Sequence, residues 1–482
     1  MTGFSKRTAL SCAAAAALLG GCQTLAVAPA EPEIAVPADW QIADPAPIST
    51  DLTTYWTLLG DPLLTEFVEQ AIVQNRNIVG SVARLRQGRA SLRQARAGFL
   101  PSVGASGGAS RRFGSGTSDD VFFDVGADVS WEADLFGQIS GGVRAAEGDL
   151  VAQGYGLADL QRLIVGQVAI ATVDARSIAE QLAIARSTLA IQDDNLQIAR
   201  WRNEAGLVSS LDVEQARTQR GNTAATIPSL EAALVQTANG ISTLIGEPPG
   251  RVYAALSADT DTVPVPPELA GFDAPAAVLR RRPDVRSAEA SLIASTARIG
   301  VARAQLLPLV RLTGNIGAGP NTAGNLFDLV TGGLFAGVSQ LIFDGGRTRA
   351  QIDIAEAGAD VALANWEQTI LLALEDVESS AAARRSAGDR VFLTEDVLNA
   401  AETTALLARS QYEAGLTDFQ VLLTAENQLL NARNQIVQAQ ADRAIAFIRL
   451  TQALGGGWTE TDLSLPHLPD ASFDATDTDR TD

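Results

Sequence analysis

The sequence nearly lacks two residue types on which much enzyme chemistry depends. Its 482 residues include one lysine, Lys6, and one histidine, His467. A Walker phosphate loop and a pyridoxal phosphate Schiff base both need a lysine, and Lys6 lies in a segment that we expect to be cleaved off. His467 lies in a polar C-terminal tail. We also find no metal-ligand spacing and no paired acids in a pocket-like context. The sequence therefore predicts neither an enzyme nor a bound metal or cofactor.

Cysteine is scarce as well, and both cysteines, Cys12 and Cys22, lie near the N-terminus. Residues 1–21 have the basic start and short apolar stretch of a secretory signal, too short to span a bilayer. They lead into the sequence LGGC, which resembles a bacterial lipobox. Cys22 is therefore predicted to carry covalent lipid, and Gln23 after it favours sorting to the outer membrane. An ordinary signal peptide with a chance cysteine is the alternative.

Basic residues are outnumbered by acidic ones, and the formal charge is -20. This balance opposes binding to nucleic acid, whose phosphates attract basic surfaces. It fits a periplasmic or lumenal surface that tolerates cationic solutes, although a simple contribution to solubility explains it equally well.

The sequence contains two copies of one unit, which become visible when it is compared with itself at a fixed offset. At an offset of 207 residues two short identical segments coincide, ARA at 95 and 302 and LP at 100 and 307. Further along the chain the offset becomes 209, and EAGL at 204 coincides with EAGL at 413. The predicted organisation is, in chain order, a signal peptide (1–21), a lipidated extended linker (22–55), a first repeat (56–246), an equatorial linker (247–277), a second repeat (278–455) and an acidic disordered tail (456–482).

Each copy is predicted to contain two β-strands, at about 102–113 and 121–135 in the first copy and at 309–318 and 333–343 in the second. In 121–135 apolar and polar residues alternate, as they do in a transmembrane barrel and also in a soluble sheet with one wet face. Both faces of 333–343 are apolar, so its lipid side stays open. Four strands cannot close a barrel, and lipid forbids open strand edges. Three chains would supply twelve strands, which can close.

Very long helices are predicted at about 138–203, 209–245, 346–413 and 418–454. Apolar residues recur there at three- and four-residue spacing, which is typical of coiled-coil seams. The first helix would be on the order of 95 Å long, at about 1.5 Å per residue, and an ordinary domain has no use for that length. Pro228 interrupts the second helix, where we expect a kink or a shorter segment.

Four motifs give the chain a resemblance to a known family: LRRRPDVRSAEA at 279–290, WEADLFGQ at 131–138, FDGGRTRA at 343–350, and Trp56 followed by GDPLL at 60–64. The chain resembles the outer membrane factors, or TolC-like proteins, and within them the lipoprotein branch that includes OprM and the NodT-type efflux proteins. The resemblance implies a mainly α-helical trimer with a shared twelve-stranded outer-membrane β-barrel on a long α-helical barrel that extends into the periplasm of a Gram-negative bacterium.

The resemblance also implies partners and site residues. The duct would dock on a periplasmic adaptor protein and an inner-membrane pump of the RND type, and would passively export drugs or other toxic small molecules. The adaptor would contact two periplasmic tips, formed by Gly206, Leu207, Val208, Ser209 and by Gly415, Leu416, Thr417. The duct would close near Asp418, Phe419 and Gln420. A glycine helix stop beside an apolar residue has a simpler explanation too, a hydrophobic contact within the turn.

Other functions remain open on the sequence alone. A type I protein secretion duct or a metal-efflux duct would share the architecture and differ in cargo. A periplasmic coiled-coil lipoprotein without a pore is a more distant alternative. The transported compound is not encoded in any motif that we can identify.

Overall fold

The structure is a computed structural model that describes residues 27–32, 34–41, 51–111, 113, 121–258, 262–268, 271, 273–321, 325–328 and 330–459. The predicted signal peptide, the lipidation site Cys22 and nearly all of the predicted tail lie outside these residues. A short 3-10 helix, Tyr55–Leu59, comes first. The described α-helices and strands that follow are, in chain order, α1 (Pro62–Gln74), α2 (Arg76–Ala97), β1 (Ser102–Arg111), β2 (Val121–Ala133), α3 (Gln138–Glu204), α4 (Ser210–Leu244), α5 (Arg251–Ala258), α6 (Pro275–Arg281), α7 (Pro283–Ala304), β3 (Leu309–Asn321), β4 (Val330–Ser339), α8 (Arg347–Glu413) and α9 (Phe419–Ala453).

The helices of the second half recur at constant offsets from those of the first. Helix α2 spans 76–97 and α7 spans 283–304, so both ends differ by 207 residues. Helix α3 spans 138–204 and α8 spans 347–413, a difference of 209 at both ends, and α4 and α9 differ by the same amount. The second copy therefore has two additional residues between the helix before its strands and the helix after them, and the matched helices have equal lengths.

Several strand ends differ from the sequence predictions by two to four residues. Strand β2 ends at Ala133, since the Asp134 carboxylate accepts hydrogen bonds from the main chain at Ile139 and Ser140, 3.0 and 2.8 Å away. Strand β4 covers Val330–Ser339 and not 333–343, and residues 340–343 connect it to Asp344, which caps α8 as Asp134 caps α3. Strands β1 and β3 end at 111 and 321, where the predictions placed 113 and 318.

Pro228 does not shorten its helix, so that part of the expectation is wrong. Helix α4 runs unbroken from Ser210 to Leu244 with the proline inside it. The ring removes one intrahelical hydrogen bond. Pro228 is exposed, and water can solvate the carbonyl that loses its donor.

The four strands form one antiparallel sheet in the order β1-β2-β3-β4, with β1 and β4 as open edges. Paired residues share a face, so the register assigns the lipid side of β4 that the sequence left open. Val330, Leu334 and Val338 pair through β3 into the apolar face of β2. The opposite face carries acidic and polar groups, among them Asp124, Asp128, Glu132, Arg311 and Asn315.

The helices below the sheet form an array in the same order as the strands. Helix α3 packs against α2 and α4 on one side and against α7 and α9 on the other, and α8 packs on α7 and α9. Among the described helices α3 is the one long and apolar enough to cross a membrane, and 56% of its apolar window is buried. Packing thus accounts for its apolar residues. The array, like the sheet, has two open edges, one formed by α2 and α4 and the other by α8.

A buried arginine joins three helices of the second copy near the middle of the chain's long axis. Arg282 precedes α7 and is 2% exposed. Its guanidinium donates to both carboxylate oxygens of Asp284, to Asp376 of α8 at 3.0 Å and to the carbonyl of Ala453 in α9 at 3.1 Å. Burial opposes ionisation of Asp284, but the hydrogen bonds and charge of Arg282 hold its pKa below the ordinary value. The LRRRPD motif therefore forms an internal clamp as well as a helix start.

Candidate functional site: the two hairpin tips

The first tip is the turn between α3 and α4, and a glycine forms it. Gly206 has a φ of 71°, in the left-handed region that a residue with a Cβ adopts at a cost. The amide of Leu207 donates to the carbonyl of Arg202 at 2.8 Å, which closes the end of α3. The Asn203 side chain donates to the carbonyl of Val208 at 3.0 Å. Ser209 then precedes α4, with its hydroxyl 3.3 Å from Asp212.

The second tip, between α8 and α9, has the same backbone design. Gly415 has a φ of 72°, and the amide of Leu416 donates to the carbonyl of Gln411 at 2.8 Å. Thr417 is half-buried beside it. Asp418 begins the next helix as its cap, since its carboxylate accepts from the amide of Val421 at 3.1 Å.

Each tip presents one leucine to solvent. Leu207 is 70% exposed and Leu416 is 79% exposed. The main-chain bonds described above hold both leucines at fixed positions, and the hydrophobic contact within the turn that the sequence left open does not cover them. The ordered turns thus leave one large apolar side chain exposed at the end of each hairpin.

The three residues of the predicted closure region have different environments. Asp418 is exposed and engaged as a helix cap. Phe419 is 2% exposed, and its ring lies 5.5 Å from that of Tyr412. Gln420 is exposed, and its main-chain carbonyl accepts a bond from Thr424. Phe419 thus belongs to the core of the second hairpin, and only Gln420 has an uncommitted side chain.

A contact that the sequence did not predict joins the two tips. The guanidinium of Arg202, in the last turn of α3, donates to the main-chain carbonyl of Tyr412 in α8 at 3.0 Å and lies 4.5 Å from the centre of its ring. Burial raises the pKa of Tyr412 and the neighbouring Arg202 opposes the rise. The ring therefore stays neutral at physiological pH, and Arg202 binds it as a cation over an aromatic face. Its Nη2 atom also lies 3.9 Å from the place where a Cβ at Gly415 would be.

One feature of the sequence could have indicated this contact, namely that the two copies differ at these positions. At the offset of 209 residues Tyr412 corresponds to Asn203, and Arg202 corresponds to Gln411. The copies agree in the EAGL turn and differ just above it. Since the two residues lie 210 positions apart in the sequence, their proximity follows only from the packing of α3 beside α8 and α9 at the tips.

Acidic groups dominate the polar face of the sheet. The carboxylates of Asp124 and Asp128 lie over glycines of β1, with oxygens 2.7 and 3.0 Å from where a Cβ at Gly108 or Gly104 would be. Arg311 is paired with Glu132 at 3.3 Å. Each chain therefore places a surplus of negative charge on this face. The glycines of β1 under the carboxylates add no side-chain bulk there.

Comparison with known proteins identifies the family. The family model described as outer membrane efflux protein matches residues 67–247 and 274–456. The pyoverdine export outer membrane protein OpmQ of Pseudomonas aeruginosa is 31% identical over 462 residues, 93% of this chain and 97% of that protein. Nodulation protein T of Rhizobium leguminosarum is 30% identical and covers 92% of this chain and 96% of its own length. The solved outer-membrane channel OprN is 31% identical, with a TM-score of 0.79 over 89% of this chain and all but 1% of that channel.

These findings confirm the resemblance, the fold class, the outer-membrane location and the role as an efflux channel. Members of the family are transport channels without enzymatic activity, and TolC-like channels are trimers. The domain boundaries, the tip and closure residues and the lipid on Cys22 stay predictions. The chain belongs to the outer membrane efflux protein family, whose members are the outer-membrane channels of tripartite efflux pumps.

Proposed function

We propose that three copies of this chain form the passive exit duct of a tripartite pump that expels drugs or other toxic small molecules. The observation that supports it best is the continuity of the sheet and the helical array. The sheet has an apolar face and an acidic polar face, and both of its edges are open. Its strands lead into helices of 67 residues, about 100 Å at 1.5 Å per residue, which is enough to carry a channel well into the periplasm.

We place the adaptor contacts at the two tips, on Gly206, Leu207, Val208 and Ser209 and on Gly415, Leu416 and Thr417. The exposure of both leucines on ordered turns supports this assignment. An adaptor that presents an apolar groove would bury them, and the nearby backbone conformation tolerates little besides glycine. The adaptor would in turn connect the duct to an inner-membrane pump of the RND type, which supplies the energy and selects the cargo.

We place the closure of the duct beside the second tip, at Asp418, Phe419 and Gln420, and add the contact of Arg202 with Tyr412. That contact holds the first hairpin against the second within one chain. A duct whose lower end widens must let the two hairpins move apart. Loss of one charge-assisted bond and one cation–ring contact is a modest barrier to such a motion.

We propose that covalent lipid on Cys22 anchors the N-terminus in the outer membrane, on the grounds of the LGGC sequence and Gln23. Labelling with a radioactive fatty acid tests this proposal. Label on the wild type and none on Cys22→Ser is the expected result. Equal labelling of both, or none on either, contradicts it.

Deletion of the gene followed by a susceptibility panel of drugs, dyes, detergents and metals tests the proposed function. The expected result is hypersensitivity to several chemically unrelated compounds, reversed by the intact gene. Loss of export of one protein with unchanged susceptibilities would instead identify a protein secretion duct. Sensitivity confined to metal ions would identify a metal-efflux duct.

A further inference from the structure

The open edges of one chain lie at corresponding places in the sheet and in the helical array. Strand β1 follows α2 and strand β4 leads into α8, so one edge of the chain is α2 with β1 and the other is β4 with α8. A ring of identical chains must therefore join the α8 edge of one copy to the α2 edge of the next, in a head-to-tail contact. The inference below rests on the ring that the proposed function requires.

The repeat supplies a template for this contact within the chain itself. Helix α3 of the first copy packs on α7 of the second. At the offsets of 209 and 207 residues, α3 corresponds to α8 and α7 corresponds to α2. The contact between α8 and the α2 of a neighbouring copy is thus the next repetition of the contact between α3 and α7.

Matched residues show that α8 has the same face uncovered. A Cβ at Gly148 in α3 would lie 2.9 Å from Ala294 of α7, and the corresponding residues are Ala357 and Gln87, which are both exposed. The carbonyl of Ala152 accepts a bond from Ser287 of α7, and the residue that corresponds to Ala152 is Val361, which is 61% exposed.

Charge complements this apolar face. Helix α2 has six arginines and no acidic residue: Arg76, Arg84, Arg86, Arg89, Arg93 and Arg96. Arg86 and Arg93 are exposed and have no hydrogen-bond or ion-pair partner in the described part of the chain, and the same holds for Asp353 and Asp360 of α8. Each pair of residues is seven positions apart, or two helical turns, so each forms a short stripe along its helix.

The two stripes match in height and direction. Arg93 and Arg86 lie about 6 and 16 Å from the sheet end of α2, and Asp353 and Asp360 lie about 9 and 20 Å from the sheet end of α8, at 1.5 Å per residue. Arginine side chains span the remaining difference. Arg86 directly follows buried Leu85, and Asp360 directly follows buried Ala359. Each charged stripe therefore lies about 100° around its helix axis from the buried face of that helix. Because the helices run antiparallel, both stripes point to the same side of the array.

We propose that neighbouring copies are joined by ion pairs between Arg93 and Asp353 and between Arg86 and Asp360, beside an apolar contact of α8 with α2. The pairs fix the register of the head-to-tail interface. Since exposed ion pairs are screened by salt, their contribution is larger at low ionic strength.

A charge-reversal cycle tests the pairing. The change Arg86→Glu with Arg93→Glu, and the change Asp353→Arg with Asp360→Arg, should each lower the ratio of trimer to monomer in detergent about tenfold, because like charges then face one another. The four substitutions together should restore it. Arg200→Glu, an exposed residue of α3 that lies on neither open edge, is the control that should leave the ratio unchanged. Equal losses in the double variants and the fourfold variant would overturn the pairing.

Cysteine cross-linking tests the register independently of stability. Gln87→Cys combined with Ala357→Cys should form disulfide-linked dimers and trimers under mild oxidation, with Cys22 kept because the proposed lipid blocks its thiol. Gln87→Cys combined with Ala364→Cys, two turns away, should not. Cross-links from the second pair alone would refute the proposed register. Intact efflux without cross-links from the first pair would refute the interface and leave the proposed function standing.

Discussion

The two copies of the repeated unit have helices of equal length and differ at three matched places. Ahead of the helix that leads to the sheet, the first copy has Asn75 and the second has Arg282. On the polar face of the sheet, β2 of the first copy carries Asp124 and Asp128, whereas β4 of the second copy carries no acidic residue. At the tips, Asn203 corresponds to Tyr412. The two copies thus share their helix lengths and order, and each has its own contacts at the equator, on the polar face of the sheet and at the tip.

The difference between Asn75 and Arg282 changes which helices are held together at the equator. Asn75 is 3% exposed, caps α2 through bonds to the amides of Asn77 and Ile78, and donates to the carbonyl of Leu244. Its function is local to the first copy's own helices. Arg282 binds α7, α8 and α9 together. At this matched place the second copy therefore ties three helices together, next to the edge that must meet a neighbouring chain.

The largest effect is expected at the tips, which test whether the two copies dock alike. Leu416→Asp or Gly415→Trp should abolish efflux while trimers stay intact, because a charge or a bulky ring cannot enter an apolar groove of the adaptor. Leu207→Asp should have the same effect if the tips are equivalent. Efflux is measured as dye accumulation in a deletion strain.

Val73→Asp is the matched control, since Val73 is 72% exposed and lies in α1. It should leave dye efflux unchanged. Full efflux from both variants of the second tip would remove the docking assignment, and full efflux from Leu207→Asp alone would show that only the second copy docks.

The next effect is expected at the equator. Arg282→Ala should cost about 3–5 kcal/mol, because it leaves the carboxylate of Asp284 without its buried partner. Asn75→Ala should cost about 1 kcal/mol, the usual loss for a helix cap. The measurement is thermal unfolding of the purified protein followed by circular dichroism. Equal shifts of the two variants would contradict the clamp.

A smaller effect is expected from the contact between the tips. Arg202→Ala should raise single-channel conductance several-fold without changing thermal stability much, because a surface-near cation–ring contact is worth only about 0.5–1 kcal/mol. Arg200→Ala, two residues earlier and exposed, is the control. Unchanged conductance in Arg202→Ala would leave Gln420 as the better candidate for the closure region.

The smallest effect is expected on the pore wall. Asp124→Asn with Asp128→Asn should reduce the preference of the channel for cations, measured as the reversal potential in a salt gradient, because carboxylates on a pore wall attract counter-ions. Glu132→Gln with Arg311→Gln removes one charge of each sign and should change the reversal potential little. An equal shift in both double variants would show that the surplus charge of the first copy does not set the preference.

The sequence predicted the fold well where the information is periodic or repeated. The four long helices lie within a residue of the predicted ends, because their seams and glycine stops are local signals. The strands were less accurate. Strand β2 ends two residues before the predicted end because Asp134 caps the next helix, and a cap is invisible in an alternation pattern. The lipid side of β4 became assignable only through its pairing with β3.

The site residues divide in the same way. The two leucines at the tips could be predicted from the EAGL turns, because a glycine stop is a local signal. Arg282 and the pair of Arg202 with Tyr412 could not, because their partners lie about a hundred or two hundred residues away in the sequence. Phe419 was expected at the closure of the duct, and the structure places it in the core of the hairpin.

Planar-bilayer recording from the size-separated protein tests most directly whether the pore exists only in the oligomer. A single chain has four strands with two open edges, which cannot enclose a channel in lipid. The trimer fraction should therefore give discrete, stable openings, and the monomer fraction should give none. A trimer that never conducts, and that alkali extracts from membranes, would show a periplasmic spacer in place of a duct and would contradict the account.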